Sequence, residues 1–543
     1  MAGCLDGCFS FLGMSQKGLA PFSSSSSSSK PAGTTSSIPP IEGLGPAVRH
    51  RKQGKVSGKS RIRPDAEANL SKDLGLSPSD LKPGMGDFTL DSLEATFDET
   101  LFVKLMEKLI KEAKYLQNNP RAGVVPEEER AAKIVMDCLN PFSTKNGGPL
   151  QIELLEYVPK RPNLKVTYAA STNSRRTIGF VGSHMDVVPA NPEEWARDPF
   201  KLVRDGDKLY GRGTTDCLGH VALLAVFLRF LALTKPKLDM SVVCVFIAAE
   251  EGGEFGVGVD RVLEDGKLEE LKNGPVFWID AADSQPCAGT CGVTQWELKT
   301  TGRLFHSGLP HKGINSIELA MDTVAELQRN FYSDFGPVSE QKSYGFGVGS
   351  TMKPTQICCS EGSLNQIPPW CKVSGDIRLV PFYDMLDVID RVEKYVENIN
   401  ANLSKLNCET TRGAYSKYDI KEAAPEAEIT EGRVEISWGQ SKESALLYAG
   451  IAADLTSTGH KALVQATAEA KGAENCKPYS ITGSLPLVGM MQRQGFDIQL
   501  DGFGLMSVYH AVNEYCDINH MRKGHEIMLR ILCLLNTAAT EKK

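Results

Sequence analysis

Apolar runs of strand length alternate with apolar positions at helical spacing from about residue 95 to the C-terminus. Residues 177–182, 240–249 and 275–279 are short, nearly continuous apolar runs, which is typical of strands buried on both faces. Leu101, Leu105 and Leu109 recur at helical spacing, and the apolar run 220–233 predicts a buried helix. Apolar strands alternating with helices predict an α/β fold whose central, mostly parallel sheet is covered on both faces.

Composition excludes several classes of protein. The chain has 543 residues, and its 41% apolar and 23% charged content is enough for large packed cores. Its 60 basic and 67 acidic residues give a net charge of −7, which argues against general binding to nucleic acid or to anionic membranes. The longest apolar stretch, 221–233, is too short to span a bilayer. The 14 cysteines form no CxxC pair, which favours a reducing, intracellular compartment.

The first 94 residues differ from the rest of the chain. Residues 1–64 contain nine Lys or Arg residues, two acidic residues and an unbroken serine run at 23–29. This composition predicts a disordered extension followed by a proline-punctuated linker. It also fits an organelle transit peptide, so a plastid location is one interpretation. A cytoplasmic protein with a solvated tail, or an incorrectly assigned gene start, is the alternative.

Polar side chains that could take part in chemistry lie at the ends of the predicted segments. One histidine and five acids share this placement: His184, Asp186, Asp216, Glu250, Glu251 and Asp280. In α/β sheets functional groups gather beyond the strand ends, so these side chains are predicted to meet. Singly, each has an ordinary structural alternative: a histidine and an aspartate in a loop, or an aspartate that caps a helix.

Taken together, these groups fit a two-metal hydrolytic site. Mixed histidine and carboxylate ligands favour zinc, cobalt or manganese over a thiolate structural site. In the pair His184-x-Asp186 the carboxylate can orient the imidazole while the other ring nitrogen binds metal. Of the adjacent acids Glu250 and Glu251, one can bind metal while the other acts as general base.

Three motifs reveal a resemblance to a known family. GSHMDVVP at 182–189, GRGTTDCLG at 211–219 and AAEE at 248–251 together resemble the zinc-dependent aminoacylase, carboxypeptidase and acetylornithine deacetylase family. KPYSITG at 477–483 and YHAVNEY at 509–515 are similar to its plant-type acetylornithine deacetylases. The resemblance extends from about residue 100 to the C-terminus.

The resemblance implies two divalent metal ions, with zinc favoured and cobalt as an alternative. The implied ligands are His184, Asp216, Glu251, Asp280 and His510. Asp216 would bridge the two ions. Many deacetylases carry Glu-Pro-Thr where this chain has DAADSQP at 280–286, so Asp283 remains an alternative to Asp280.

The resemblance also implies catalytic and substrate-binding residues. Asp186 would orient His184, Glu250 would be the general base for the attacking water, and His306 would stabilise the oxyanion in a neighbouring subunit's site. The implied substrate-binding residues are Asn365, Arg378, Gly483 and Ser484. Arg378 would hold a substrate carboxylate in a bidentate pair, and its alternative is a surface salt bridge.

Domain organisation and activity follow as expectations from the same resemblance. Residues 95–290 and 440–543 would form a split catalytic domain. Residues 291–439 would form an inserted α+β, ferredoxin-like lid that also makes a homodimer. The segment 405–429 is predicted to be a surface loop. The expected reaction is hydrolysis of N2-acetyl-L-ornithine to acetate and L-ornithine in arginine biosynthesis. A broader N-acyl-amino-acid hydrolase, a dipeptidase and a non-catalytic metal-binding scaffold are the alternatives.

Overall fold

The computed structural model describes residues 96–280, 283–406, 412–413, 415, 417–439 and 441–540. The predicted N-terminal extension, with its transit-peptide interpretation, lies outside these residues. No helix in the described part of the chain has both the length and the apolar character needed to cross a bilayer.

Helices and strands alternate through most of the described chain. The helices are α1 Glu99–Glu112, α2 Glu129–Leu139, α3 Leu218–Thr234, α4 Val259–Glu264, α5 Ser316–Asp334, α6 Glu340–Ser343, α7 Met385–Ala401, α8 Lys442–Leu447, α9 Thr458–Lys471, α10 Val488–Arg493 and α11 Ile518–Thr540. The strands are β1 Leu150–Glu156, β2 Pro162–Tyr168, β3 Thr177–His184, β4 Val203–Asp205, β5 Lys208–Tyr210, β6 Ser241–Ile247, β7 Pro275–Ile279, β8 Cys287–Thr290, β9 Gly292–Thr301, β10 Phe305–His306, β11 Thr351–Cys359, β12 Gln366–Ile367, β13 Trp370–Leu379, β14 Arg433–Trp438, β15 Tyr479–Ile481, β16 Asp497–Asp501 and β17 Tyr515–Asp517.

A large sheet forms the centre of the molecule. Among the described residues its eight strands run in the order β1-β2-β6-β3-β7-β16-β8-β15. The central strands β6, β3, β7 and β16 are mutually parallel. All eight residues of β3 and all five of β7 are buried, as expected for strands covered on both faces.

Helices cover both faces of this sheet. One core joins it to α1, α2, α3, α9 and α11, and a second core joins its other face to α4, α8 and α10. The helix α3, which is apolar all round, is buried along most of its length. Two helical layers around a mostly parallel sheet confirm the predicted α/β class.

A smaller antiparallel sheet has its own hydrophobic core. Its strands β9, β11, β13 and β14 lie in the order β11-β13-β9-β14, and α5 and α7 pack on one face. The chain order β9-α5-β11-β13-α7-β14 is the ferredoxin-like arrangement of strands and helices. The placement of residues 291–439 as a separate domain stays a prediction.

The predicted surface loop at 405–429 is mostly exposed and irregular in its described part, but some of its residues are buried. Tyr418, Ile420 and Ala424 are at most 2% exposed and belong to the core of the smaller sheet. Their apolar side chains are separated by charged residues. The average composition of the segment is therefore polar, and it does not predict these buried positions.

Candidate active site

Three neighbouring parallel strands bring the predicted polar groups to one edge of the large sheet. The strand β3 ends at His184, Glu250 follows β6 and Asp280 follows β7 directly. Carboxyl ends of parallel strands meet at a common edge, which is where ligands bind in such sheets. His510 reaches the same place from the segment after β16.

Asp216 lies between two histidines. Its Oδ1 is 2.9 Å from Nε2 of His184, and its Oδ2 is 3.0 Å from Nε2 of His510. Each carboxylate oxygen therefore faces one imidazole. A carboxylate whose two oxygens face different imidazoles could bridge two metal ions.

The acids divide between the two histidines. An oxygen of Asp280 lies 3.7 Å from Nε2 of His184, and an oxygen of Glu251 lies 3.2 Å from Nε2 of His510. The possible ligand atoms of His184, Asp216 and Glu251 all lie within 4.8 Å of one another. The five predicted ligands thus converge in two halves that share Asp216.

Glu250 and Glu251 differ in their surroundings. Glu251 belongs to the group of possible ligands with His184 and Asp216, whereas Glu250 lies outside it, with its carboxylate 4.0 Å from Nε2 of His184. Both carboxyl groups line the same cavity. A carboxylate beside the cluster, but not part of it, is free to accept a proton.

Asp186 connects the strand ends. Its carboxylate accepts hydrogen bonds from the backbone N–H groups of Glu250 and Glu251, at 3.2 and 3.0 Å, and from the side chain of Asn118 at 2.8 Å. Nδ1 of His184 lies closer to the backbone oxygen of Asp186, at 2.9 Å, than to its carboxylate, at 3.5 Å. The carboxylate therefore fixes the Glu250–Glu251 turn as well as facing the imidazole.

Two buried oxygens in the site have no hydrogen-bond partner among the described residues. They are Oε1 of Glu251 and Oδ1 of Asp280. A buried anionic oxygen without a donor is costly, and a divalent cation supplies the missing positive charge. Asp283, the alternative ligand, instead accepts a hydrogen bond from the backbone of Met506. The geometry thus favours Asp280 and fits a metal ion.

Burial and hydrogen bonding together shift the pKa values of these groups. Burial raises the pKa of Asp280 to about 7 and holds the pKa of Glu250 well above the ordinary carboxyl value. Burial also acts to raise the pKa of Asp216, but hydrogen bonds with His184 and His510 outweigh it and lower that pKa. Hydrogen bonds with Asp216 and Glu251 raise the pKa of His510 to about 11. The pocket therefore favours bound positive charge.

Cys217 contributes a thiol next to the cluster. Its sulfur lies within 4.8 Å of possible ligand atoms of His184 and Asp280, and 3.3 Å from Nδ1 of His220. His220 also accepts a hydrogen bond from the backbone of Phe503, so it is a satisfied core histidine. Cys217 itself is fully buried.

Glu514 is a residue that sequence reasoning missed. Its buried carboxylate accepts backbone hydrogen bonds from Gly213, Thr215 and Asp216, and it pairs with Arg212 at 2.7 Å. It thus holds the turn that presents Asp216. One indication of this role was present in the sequence, because Glu514 lies four residues after the predicted ligand His510 in the YHAVNEY run.

We expect Glu514→Gln to lower the free energy of unfolding by about 3–5 kcal/mol, because it leaves the buried Arg212 cation without an anion. Urea unfolding of the full chain measures this change. Glu264→Gln, at an exposed carboxylate on α4, is the matched control and should stay within about 0.5 kcal/mol. Equal stabilities of the two variants would contradict the role of Glu514.

A second buried ion network supports the Glu250–Glu251 turn. Glu128 pairs with Arg161 at 2.7 Å, and Arg161 also pairs with Glu254. The same Glu128 carboxylate accepts the backbone N–H of Ala249, which adopts a left-handed φ of 60°. Ala249 precedes Glu250, so the network holds a strained backbone directly before the predicted base. No motif in the sequence links Glu128 with Arg161.

A cavity of about 1160 Å³ opens over the cluster. Arg378 from β13, together with Gly483 and Ser484, lines this cavity. Three predicted substrate-binding residues thus share it with four of the five predicted ligands, Asp216, Glu251, Asp280 and His510. His306 and Asn365 do not line it. Both are exposed: His306 is the last residue of β10, and Asn365 directly precedes its partner strand β12. Their roles stay predictions.

Comparison with known proteins gives a consistent assignment. The sequence model of peptidase family M20/M25/M40 matches residues 180–533. The acetylornithine deacetylase of Arabidopsis thaliana is 48% identical over 442 residues, which is 81% of this chain and 96% of that protein. The acetylornithine deacetylase of Dictyostelium discoideum is 45% identical over 447 residues, covering 81% and 97%.

A solved structure shares the fold. The dipeptidase Dug1p from Saccharomyces cerevisiae superposes with a TM-score of 0.58 at 17% sequence identity, covering 83% of this chain and 99% of that one. At this identity the likeness concerns the fold alone. Sequence match, coverage and fold agree: the chain belongs to peptidase family M20/M25/M40.

Proposed function

We propose that this protein is a metal-dependent amidohydrolase that converts N2-acetyl-L-ornithine and water to acetate and L-ornithine, a step of arginine biosynthesis. The observation that carries the hydrolytic chemistry is the placement of Glu250 beside a cluster of two histidines and three acids that opens into one cavity. The substrate rests on the 48% identity to the Arabidopsis acetylornithine deacetylase over almost the whole of that protein.

Two divalent ions, zinc by our proposal, fit the donor set. His184 and Asp280 would hold one ion, His510 and Glu251 would hold the other, and Asp216 would bridge them. Bound ions supply Lewis-acid polarisation of the amide carbonyl and of water. This donor set of imidazole and carboxylate suits zinc, with cobalt as the alternative.

The residues of the chain account for proton transfer. Glu250 takes a proton from the attacking water and later delivers it to the nitrogen of the leaving amine. Asp186 holds the backbone N–H groups of Glu250 and Glu251, which fixes the direction of both side chains. The products are one carboxylate and one free amino acid.

Arg378 is proposed to bind the carboxylate of the substrate. Its side chain is 38% exposed, lines the cavity and donates through Nε to Asp376 at 2.9 Å. That bond holds the guanidinium in place. Guanidinium is suited to carboxylate because its donors form a planar fork.

Arg378→Gln should raise KM for N2-acetyl-L-ornithine by about 10- to 100-fold, because a charge-assisted hydrogen bond contributes about 1.5–3 kcal/mol. Steady-state kinetics measures KM and kcat separately. Arg433→Gln, at an exposed arginine on β14 of the same small sheet, is the control and should leave KM unchanged. An unaltered KM in Arg378→Gln would remove this residue from substrate binding.

A substrate panel tests the proposed function as a whole. The zinc-loaded protein is assayed with N2-acetyl-L-ornithine, N-acetyl-L-methionine, N-succinyl-diaminopimelate and a dipeptide. We expect acetylornithine to give the highest kcat/KM. A higher value for acetylmethionine or for the dipeptide would identify an aminoacylase or a dipeptidase. No turnover of any compound by the metal-loaded protein would point to a scaffold.

We also propose a homodimer in which His306 reaches the site of the other subunit. The exposed position of His306, outside the cavity of its own chain, supports this arrangement. Light scattering should give twice the chain mass, and a monomeric mass would reject the proposal.

The composition of residues 1–64 supports our further proposal of plastid import. A fluorescent fusion of residues 1–70 that stays in the cytosol would reject it.

A further inference from the structure

Three cysteines with no role assigned above lie together on the smaller sheet. Cys358 and Cys359 end β11, and Cys371 is the second residue of β13. These strands are antiparallel, and their register places Cys359 directly opposite Cys371. Residues directly opposite each other in an antiparallel pair project from the same face of the sheet.

The hydrogen-bond pattern brings these two side chains close together. The backbone N–H of Ser360 donates to the oxygen of Trp370 at 3.2 Å, so Ser360 and Trp370 form a hydrogen-bonded pair. The next pair, Cys359 and Cys371, is therefore of the non-hydrogen-bonded type, whose Cα atoms are about 4.5 Å apart. Disulfides span Cα distances of about 4.4–6.8 Å, so this pair can close without backbone movement.

The two thiols differ in access to solvent. Cys359 is exposed, whereas Cys371 is fully buried. Burial raises the pKa of the Cys371 thiol to about 11. A small oxidant therefore meets Cys359 first, and Cys371 acts as the second sulfur. Among the described residues the three cysteines do not form a group at metal-ligand distances, which disfavours a soft-metal site.

We propose that Cys359 and Cys371 form a reversible disulfide by exchange with a low-molecular-weight disulfide such as oxidised glutathione. The Cys359 thiolate attacks one sulfur of the oxidant, which releases one glutathione thiol and leaves a mixed disulfide. The Cys371 sulfur, after losing its proton, attacks the Cys359 sulfur and releases the second glutathione. The two protein thiols lose two electrons, the oxidant gains them, and both protons leave with the released thiols.

This bond would close the base of a loop that carries predicted site residues. Residues 360–369 connect β11 to β13 and contain Asn365 and the short strand β12. Strand β12 pairs with β10, which ends at His306. The disulfide therefore clamps the segment that positions both residues. An effect on turnover, unlike the bond itself, rests on the proposed function.

Peptide mapping of the full-length protein tests the proposal. The reduced protein is incubated with oxidised glutathione, remaining thiols are alkylated, and the denatured chain is cut by trypsin and by a glutamate-specific protease. Cleavage after Glu361 separates Cys358 and Cys359 from Cys371. We expect the two resulting peptides to stay joined until a reductant is added, with the loss of two free thiols per chain.

The matched control is Cys358→Ser, which removes an equally exposed neighbour on the opposite face of β11. It should form the same linked peptides, whereas Cys359→Ser should not. A link between Cys358 and Cys359, a link between two chains, or a persistent glutathione adduct at Cys359 would each overturn the proposal.

Activity measurements test the effect of the disulfide on turnover separately from the bond itself. Oxidation should change kcat/KM for N2-acetyl-L-ornithine at least threefold in the parent and in Cys358→Ser, but not in Cys359→Ser. A fully reduced protein without activity would count against the proposed function, while the linked peptides would still support the disulfide.

Discussion

Replacing Glu250 with glutamine should lower kcat for N2-acetyl-L-ornithine by about 10²–10⁴-fold while the metal content stays unchanged. Glutamine keeps the shape of the side chain but cannot accept a proton from water. Glu250 lies outside the group formed by His184, Asp216 and Glu251, so its loss removes no predicted ligand. Steady-state kinetics and elemental analysis on the same preparation give both quantities.

The control for this experiment is again Glu264→Gln. Its carboxylate is exposed and paired with Arg261, so rate and metal content should both match the parent protein. A Glu250→Gln protein with normal turnover would refute the assignment of the base. A Glu250→Gln protein that has lost its metal would instead make Glu250 a ligand.

Asp216→Asn should have the second large effect, because this carboxylate faces both histidines. Asparagine removes the negative charge that the two halves of the site share. We expect less than one metal ion per chain and a fall in kcat/KM of more than about 10³-fold, since a metal ion contributes several kcal/mol to such reactions. Elemental analysis gives the metal content independently of activity.

Asp205→Asn is the matched control, because Asp205 is an exposed aspartate paired with Arg197. It should retain the full metal content and turnover. Thermal unfolding with and without added zinc provides a second reading: zinc should raise the Tm of the control protein more than the Tm of Asp216→Asn. Equal shifts in the two proteins would place the metal elsewhere.

The buried strands explain why so much of the site could be predicted. In β3, β6 and β7 the apolar runs end where His184, Glu250 and Asp280 begin, and parallel strands have their carboxyl ends at one edge. The sequence pattern alone therefore indicates that these groups meet. His510 has no such pattern around it, and only the resemblance of the YHAVNEY run placed it in the site.

The supporting residues could not be predicted in the same way. Glu514 and Glu128, which pairs with Arg161, accept hydrogen bonds from backbone N–H groups that are distant in sequence. No local spacing of residues therefore predicts these contacts. The choice between Asp280 and Asp283 is of the same kind. Only the positions of the side chains show that Asp280 faces the cavity and Asp283 faces a backbone N–H.

Residue order along the chain was enough to predict the α/β class, the strand ends that carry the polar groups, and the residue types that suit two divalent ions. Periodicity and the ends of apolar segments are local properties, so they can be recognised in a single sequence. Three-dimensional contacts were needed to show which acid pairs with which histidine, that Tyr418 is buried and that Cys359 faces Cys371. Those facts depend on strand register and on contacts between distant segments, which the order of residues along the chain does not contain.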